Sequence, residues 1–258
     1  MSAPAVVVHR DADLLAKATA ARVITTLVDA QAARGHAAIA LTGGTIGIAV
    51  LDQVRREPAR DAVDWRRLDV WWGDERFLPS GDRERNETQA REALLDHLEL
   101  DPARVHPMPA ADSAADTPEQ GAHRYAEELR AAAERAGAPT TPALDLVLLG
   151  VGPDAHVASL FPQAPALAET ERTVVAVHGS PKPPPTRVTL TVPAIKAARE
   201  VWLLASGTAK AEAVGLALRD SGSAGAPAAR ARGRSRTLFL LDEAAAGQVP
   251  SELPPARD

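Results

Sequence analysis

The chain has 258 residues, 45% of them apolar and 24% charged, with a formal net charge of -5. That balance suits a globular protein with a sizeable core, in one large α/β domain or two small ones. The chain has no cysteine, which excludes disulfides, cysteine-ligated zinc, iron–sulfur clusters and a thiol nucleophile, and fits a reducing compartment. No apolar run nears the ~18 residues of a membrane span. Residues 1–10 lack the charged start and apolar stretch of a signal peptide. A mildly acidic chain is a poor nucleic-acid binder. The expectation is a cytoplasmic protein with neither a membrane nor a nucleic acid as partner.

Short apolar runs alternate with helical patterns along the whole chain. The predicted strands are Ala5–His9, Ala37–Leu41, Leu68–Trp72, 144–149, 173–177, Arg187–Leu190, Glu200–Ala205 and 237–241. Several are almost wholly apolar, as strands buried on both faces are. After the first strand, Asp11 caps a helix whose Leu14, Ala18, Ala21, Ile24 and Val28 recur at steps of three and four, and Gly35 ends it. Residues 88–98, 118–136 and 208–218 read as further helices. This alternation predicts an α/β fold: an open, mostly parallel Rossmann-like sheet with helices on both faces. No break in composition divides residues 1–258, so a single domain is expected. A Gly-, Ala-, Ser- and Arg-rich stretch over 221–236 reads as a loose, solvated loop. The Pro-rich tail over 250–258 reads as frayed.

Ligands of open α/β sheets bind beyond the carboxyl ends of the strands, so the residues following each strand carry the chemistry. After Leu41 comes Thr42-Gly43-Gly44-Thr45-Ile46-Gly47, then a helix. Glycines allow close backbone approach and the helix start offers free N–H groups, which makes a phosphate cradle or a plain tight turn. No Gly-Lys-Ser/Thr follows, so it is not a Walker A loop. After Trp72 comes Gly73-Asp74-Glu75-Arg76-Phe77. Arg76 suits bidentate phosphate binding, and Asp74 or Glu75 suits orienting a sugar hydroxyl or a partner side chain. After Leu149 comes Gly150-Val151-Gly152-Pro153-Asp154-Ala155-His156. An imidazole titrating near neutrality suits general-base work.

Gly150, Gly152 and Ala155 match the dinucleotide fingerprint by pattern. Pro162 and Pro165 break the crossover helix that fingerprint needs, so no nucleotide cofactor is expected. Residues 180–187 carry Lys182 and Arg187 among four prolines, either as a rigid linker or as a cationic lid over an anionic substrate. No Gly-x-Ser-x-Gly elbow and no histidine pair at metal-ligand spacing occurs. The expected site therefore has a base and anion clamps, with no covalent nucleophile, metal or cofactor.

Four motifs taken together resemble the 6-phosphogluconolactonase family. They are Leu41-Thr42-Gly43-Gly44-Thr45, Trp72-Gly73-Asp74-Glu75-Arg76-Phe77, the run from Leu149 through His156 to Pro162, and Ser180-Pro181-Lys182-Pro183-Pro184. The resemblance implies hydrolysis of 6-phosphoglucono-1,5-lactone in the oxidative pentose phosphate pathway. It also implies the sheet fold shared with glucosamine-6-phosphate deaminases and ribose-5-phosphate isomerases. It makes His156 the general base and Arg76 and Lys182 phosphate ligands. Asp154 or Glu75 is expected to steady the imidazolium, with Thr42, Gly43, Gly44, Thr45, Asp74 and Arg187 around the substrate.

The sequence departs from the family pattern at Ala155, where Gly is usual, at Val157, often Thr, and at Gly47, usually Pro. The family's Asp…Ser-Asn stretch survives only as Asp82…Arg85-Asn86. If position 155 needs a positive φ, its Cβ costs roughly 1 kcal/mol. Two rivals remain: an isomerase or deaminase with a carboxylate base at C2 of an open-chain sugar, and a non-catalytic sugar-phosphate sensor. The partner expected is a small sugar-phosphate lactone, bound by a monomer or small homo-oligomer.

Overall fold

The structure is a computed structural model that describes residues 4–114, 117–137, 141–142, 144–219 and 225–251. In chain order the first half runs β1 (Ala5–His9), α1 (Ala12–Arg34), β2 (Ala37–Leu41), α2 (Thr45–Arg56), β3 (Leu68–Trp72), β4 (Asp74–Arg76), α3 (Asn86–Ala93) and α4 (Pro118–Arg135). The second half runs β5 (Leu146–Gly150), β6 (Val174–Val177), β7 (Arg187–Leu190), α5 (Val192–Lys196), β8 (Glu200–Ala205), α6 (Ala211–Arg219), α7 (Pro227–Arg230) and β9 (Arg236–Asp242). Six strands form one parallel sheet in the order β1-β9-β8-β5-β2-β3. Helices flank it, α1 packing on α2, β2 and β9. This is the predicted α/β architecture. No described helix is long and apolar enough to cross a membrane.

Local chemistry accounts for the element ends. The Asp11 carboxylate accepts the Leu14 N–H at 2.9 Å to start α1. Gly35, at φ 77°, ends it in the left-handed conformation that a residue without Cβ adopts freely. Thr117 and Pro118 start α4 in the same local way. Strands β2, β8 and β9 are buried almost throughout, which is why their sequences alternate so little. The edge strand β1 is half-buried.

Three features differ from the expectation. First, β6 and β7 do not join the main sheet. With β4 they form a separate antiparallel sheet in the order β4-β7-β6. The chain leaves β3 at Gly73, whose carbonyl accepts the Leu190 N–H at 2.9 Å, and continues into that second sheet. Second, α3 begins at Asn86, two residues early, because a distant side chain caps it, as described below. It then gives way to a 3₁₀ turn over Leu95–His97.

Third, residues 226–233 are packed rather than loose, while Gly225, Arg234 and Ser235 are exposed. Ala226, Ala228, Ala229 and Ala231 are buried, Pro227–Arg230 is helical, and the Arg232 guanidinium lies 5.8 Å over the Phe239 ring. Residues 221–224 and the tail beyond Ser251 lie outside the described residues.

The strand order reverses between β2 and β5. There the Gly150 N–H donates to the Thr42 hydroxyl at 3.2 Å, joining the two loops expected to carry chemistry. Such a switch point opens a crevice at the carboxyl ends of the strands.

Candidate active site

A cleft of about 610 Å³ opens at that crevice. It gathers the ends of β2, β4, β5 and β8 and the proline loop before β7, with His156, Asp74, Arg76, Lys182 and Arg187 on its walls.

The loop after β5 turns tightly to present His156. Ala155 stands at φ 63° and Ala158 at φ 50°, so the chain accepts the left-handed conformation at two alanines. The Gly152 N–H donates to the His156 carbonyl at 2.8 Å. A Cβ built on Gly152 would lie 1.9 Å from His156 Nδ1 and 2.6 Å from an Asp154 carboxylate oxygen. Only glycine lets the two side chains fold over this backbone. His156 Nδ1 and Asp154 Oδ1 are 2.5 Å apart, and the Phe161 ring packs 4.6 Å from the imidazole.

Burial lowers the His156 pKa, and the nearby Lys182 charge lowers it further. The Asp154 bond opposes both without cancelling them. Burial works against the Asp154 charge, but the His156 bond prevails and keeps its carboxyl below the usual range. A carboxylate only accepts, so the Nδ1 atom carries the proton and the Nε2 lone pair is left for the cleft.

β4 sorts its three charges by strand alternation. Asp74 and Arg76 face the cleft, paired across the sheet with Thr189 and Arg187. The buried Asp74 carboxylate accepts the Ser159 hydroxyl at 2.7 Å and the Asn86 amide at 3.3 Å, with Arg187 at 3.8 Å. Arg76 donates to the Glu84 carbonyl, and its Nε is buried without a protein partner.

Glu75 points the other way, which corrects its expected role at the imidazole. Its carboxyl accepts the N–H groups of Arg76 (2.8 Å), Asn86 (2.7 Å) and Glu87 (2.9 Å), with Arg85 at 3.8 Å. Burial pushes this carboxyl up to about 7, against the pull of Arg85 and the three N–H groups. Its task is to cap α3 from outside the helix.

On the opposite wall Gly44, at φ 81°, turns the chain into α2, whose start no side chain caps. The open N–H groups and helix dipole there favour an anion. Thr42 and Thr45 also line the wall. A Cβ on Gly43 would lie 1.9 Å from the Asn86 side-chain oxygen, and one on Gly47 would lie 2.8 Å from the Thr42 methyl. The family-atypical Gly47 thus admits the Thr42 side chain.

Lys182 reaches the cleft from the proline loop. Arg187 mostly holds that loop, donating to the carbonyls of Lys182, Pro183 and Pro184 at 3.1–3.2 Å. Sequence reasoning missed Lys210, which lines the same wall. Burial and the neighbouring Lys182 charge both lower its pKa. The signal was available, since Ser206-Gly207-Thr208-Ala209-Lys210 follows the buried β8. The buried Asp242 holds this turn by accepting from Ser206 and Gly207. Also missed were Ser159 and the role of Asn86. Among the described residues no three histidine or carboxylate side chains gather as a metal site.

The family model for glucosamine-6-phosphate isomerases/6-phosphogluconolactonase matches residues 10–240. The chain belongs to this family. Within the family it is 60% identical over 255 residues to a 6-phosphogluconolactonase of Streptomyces coelicolor, covering 98% of each chain. It is 45% identical to one of Mycobacterium tuberculosis, covering 93% of this chain and 96% of that one. Among solved structures, a 6-phosphogluconolactonase of Trypanosoma brucei superposes with a TM-score of 0.82 at 29% identity, covering 96% of this chain and 99% of that one. A monomeric glucosamine-6-phosphate deaminase shares the fold at 21% identity and a TM-score of 0.77.

Proposed function

We propose that this chain hydrolyses 6-phospho-D-glucono-1,5-lactone to 6-phospho-D-gluconate, with His156 as general base. The lactone and the reaction follow from the near-full-length relatives, led here by the 60% identical one. The role of His156 rests on one observation: a desolvated imidazole, tied at Nδ1 to Asp154, in a cleft that also holds Arg76, Lys182 and Lys210.

A δ-lactone is an activated ester, so a base that delivers water to its carbonyl is sufficient. His156 Nε2 takes a proton from water as the oxygen adds to C1. Asp154 stabilises the imidazolium through Nδ1. Backbone N–H groups near Gly43–Gly44 bind the oxyanion, the Gly152 N–H being held by the His156 carbonyl. Collapse breaks the bond from C1 to the ring oxygen, and the imidazolium returns the proton to that oxygen. Burial, which lowers the His156 pKa, keeps the imidazole neutral and ready at pH 7.

The start of α2 with Lys182, Lys210 and Arg76 holds the phosphate, and Asp74 orients sugar hydroxyls. Asp74 is already held by Ser159, Asn86 and Arg187, which favours a fixed anion over the mobile carboxylate base that an isomerase needs. The reading carries with it a cytoplasmic enzyme of the oxidative pentose phosphate pathway, acting as a monomer or small homo-oligomer.

The test is His156→Ala, assayed on freshly generated lactone and corrected for spontaneous hydrolysis. We expect kcat to fall ~10²–10⁴-fold with the melting temperature retained. A folded variant with near-wild-type kcat would remove His156 from the chemistry.

A further inference from the structure

The stretch over 226–231 has no task in the proposed reaction, yet it is well buried. Ala226 and Ala228 are fully buried, and Ala229 and Ala231 nearly so. Four small side chains let the backbone of this segment come within hydrogen-bond distance of the loop that carries His156. The Ala228 N–H donates to the Ala155 carbonyl at 2.9 Å. At the other end of α7, Arg230 donates to the Leu167 carbonyl at 2.8 Å and pins the segment to the turn that follows the same loop.

Ala155 is the residue that most needs such support. Its φ of 63° is uphill for any side chain with a Cβ. Its carbonyl belongs to the peptide that leads directly into His156. The other hydrogen bonds of residues 152–156 are made within the loop: Gly152 to the His156 carbonyl, Ala155 to the Gly152 carbonyl, and His156 to Asp154. Among the described residues, the bond from Ala228 is the one that reaches residues 152–156 from outside. The loop is anchored at its flanks, where the Val151 N–H donates to the Leu204 carbonyl and the Ser159 N–H to the Thr189 hydroxyl, and the Ala228 bond fixes the peptide between them.

We propose that α7 is a positioning strut for the base: the Ala228 N–H holds the Ala155–His156 peptide, and so keeps the His156 imidazole in its reactive orientation. Ala228 is a positioning residue, touching neither substrate nor reacting atoms. The proposal rests on His156 being the base. The strut also explains how this chain carries alanine where a glycine would take the left-handed conformation without cost. The packed segment supplies from outside what the glycine would supply by itself.

The decisive change is Ala228→lactate, an amide-to-ester replacement that deletes the N–H and keeps the side chain. Ala228→Pro is a genetic counterpart that also deletes the N–H, but it adds a ring at a fully buried position and restricts Pro227, so it is read only beside its melting temperature. Three readouts are taken: kcat and KM on the phosphorylated lactone, the acid limb of the kcat–pH profile, and the melting temperature. Loss of one neutral hydrogen bond should lower kcat about 3–10-fold and leave KM within about twofold. The acid limb should move up toward the ordinary histidine value as the imidazole loses some of its burial.

Adding Ala155→Gly should recover most of the lost kcat, because glycine takes the left-handed turn at no steric cost. Unchanged kcat and acid limb in both Ala228 variants would overturn the strut. So would a loss that follows the melting temperature and is not recovered by Ala155→Gly. His156→Ala, run alongside, separates the two ideas. Full activity there defeats the base assignment and the strut with it. Loss there, with unaffected Ala228 variants, defeats the strut alone.

Discussion

Gly152→Ala should cost nearly as much activity as removing His156, although it alters no titratable group. The added Cβ would stand 1.9 Å from His156 Nδ1, 2.1 Å from its Cε1 and 2.6 Å from an Asp154 carboxylate oxygen. Carbon and nitrogen do not approach within about 3.5 Å without losing attraction, so the ring must move by well over an ångström. The three nearest atoms all belong to side chains, and Gly152 is not among the positive-φ glycines. The clash is therefore relieved by swinging the imidazole off Asp154, at a rotamer cost of order 0.5–1.5 kcal/mol.

A displacement of that size takes the base out of reach of its water, and misplacement by 1 Å alone can cost ~10²-fold. We expect kcat to fall at least ~10²-fold while the melting temperature shifts by only a few degrees. The assay is initial-rate hydrolysis of fresh lactone with the spontaneous rate subtracted, and thermal unfolding as the control. A folded Gly152→Ala protein with kcat within threefold of wild type would refute the reasoning. The imidazole would then be free to move without loss, and the Asp154–His156 pair would be incidental.

Three further outcomes follow from the same geometry. Arg76→Gln, Lys182→Gln and Lys210→Gln should each lower kcat/KM for the phosphorylated lactone about 10–100-fold, at ~1.5–3 kcal/mol per charge-assisted contact. Hydrolysis of unphosphorylated glucono-1,5-lactone should barely change, and equal losses on both substrates would put the phosphate elsewhere. Glu75→Gln should destabilise the fold by about 1–3 kcal/mol in urea unfolding while sparing kcat, because its amide turns a donor toward a backbone N–H.

His106 lies outside the site, stacked on Trp71 at 3.8 Å and bonded to Glu128 and Asp69. Burial lowers its pKa, but the two carboxylate bonds outweigh that and raise it. Its contribution to stability is therefore complete below the ordinary histidine value of about 6.5. It is lost as the pH climbs through the raised one. Urea midpoints from pH 6 to 8.5 should fall in the wild type and fall less in His106→Gln, the remaining slope below pH 7 coming from the raised Glu75 carboxyl.

The parallel sheet was legible because its information is local. Ala5–His9, Ala37–Leu41, Leu68–Trp72 and Glu200–Ala205 are apolar enough to be strands buried in a sheet, and they end where the structure ends them. The strand-end rule then led to Thr42–Thr45, Asp74, Arg76 and the His156 loop, all of which the cleft brings together. The same rule, applied to the end of β8, would have found Lys210. It was missed because Thr208 onward reads as a plain helix.

Other features were not local. β4 is three charged residues with no strand pattern, and it exists because β7 pairs with it. That pairing imposes the alternation that turns Glu75 away from Asp74, and Glu75 in turn starts α3 two residues early. Residues 225–231 have the composition of a solvated loop, since Gly, Ala and Arg are common there. Small side chains are also what close packing requires, and only the neighbouring segment decides between the two.

The class of fold, the loops at the carboxyl ends of the strands and the chemical types available there were legible in the chain, because periodicity and turn chemistry act over a few residues. Tertiary packing alone set which carboxylate bonds the His156 imidazole, what Glu75 caps, and that a run of buried alanines lies against the His156 loop. Those depend on which backbone lies within about 3 Å of which other, a distance set by register and packing between segments far apart in the chain.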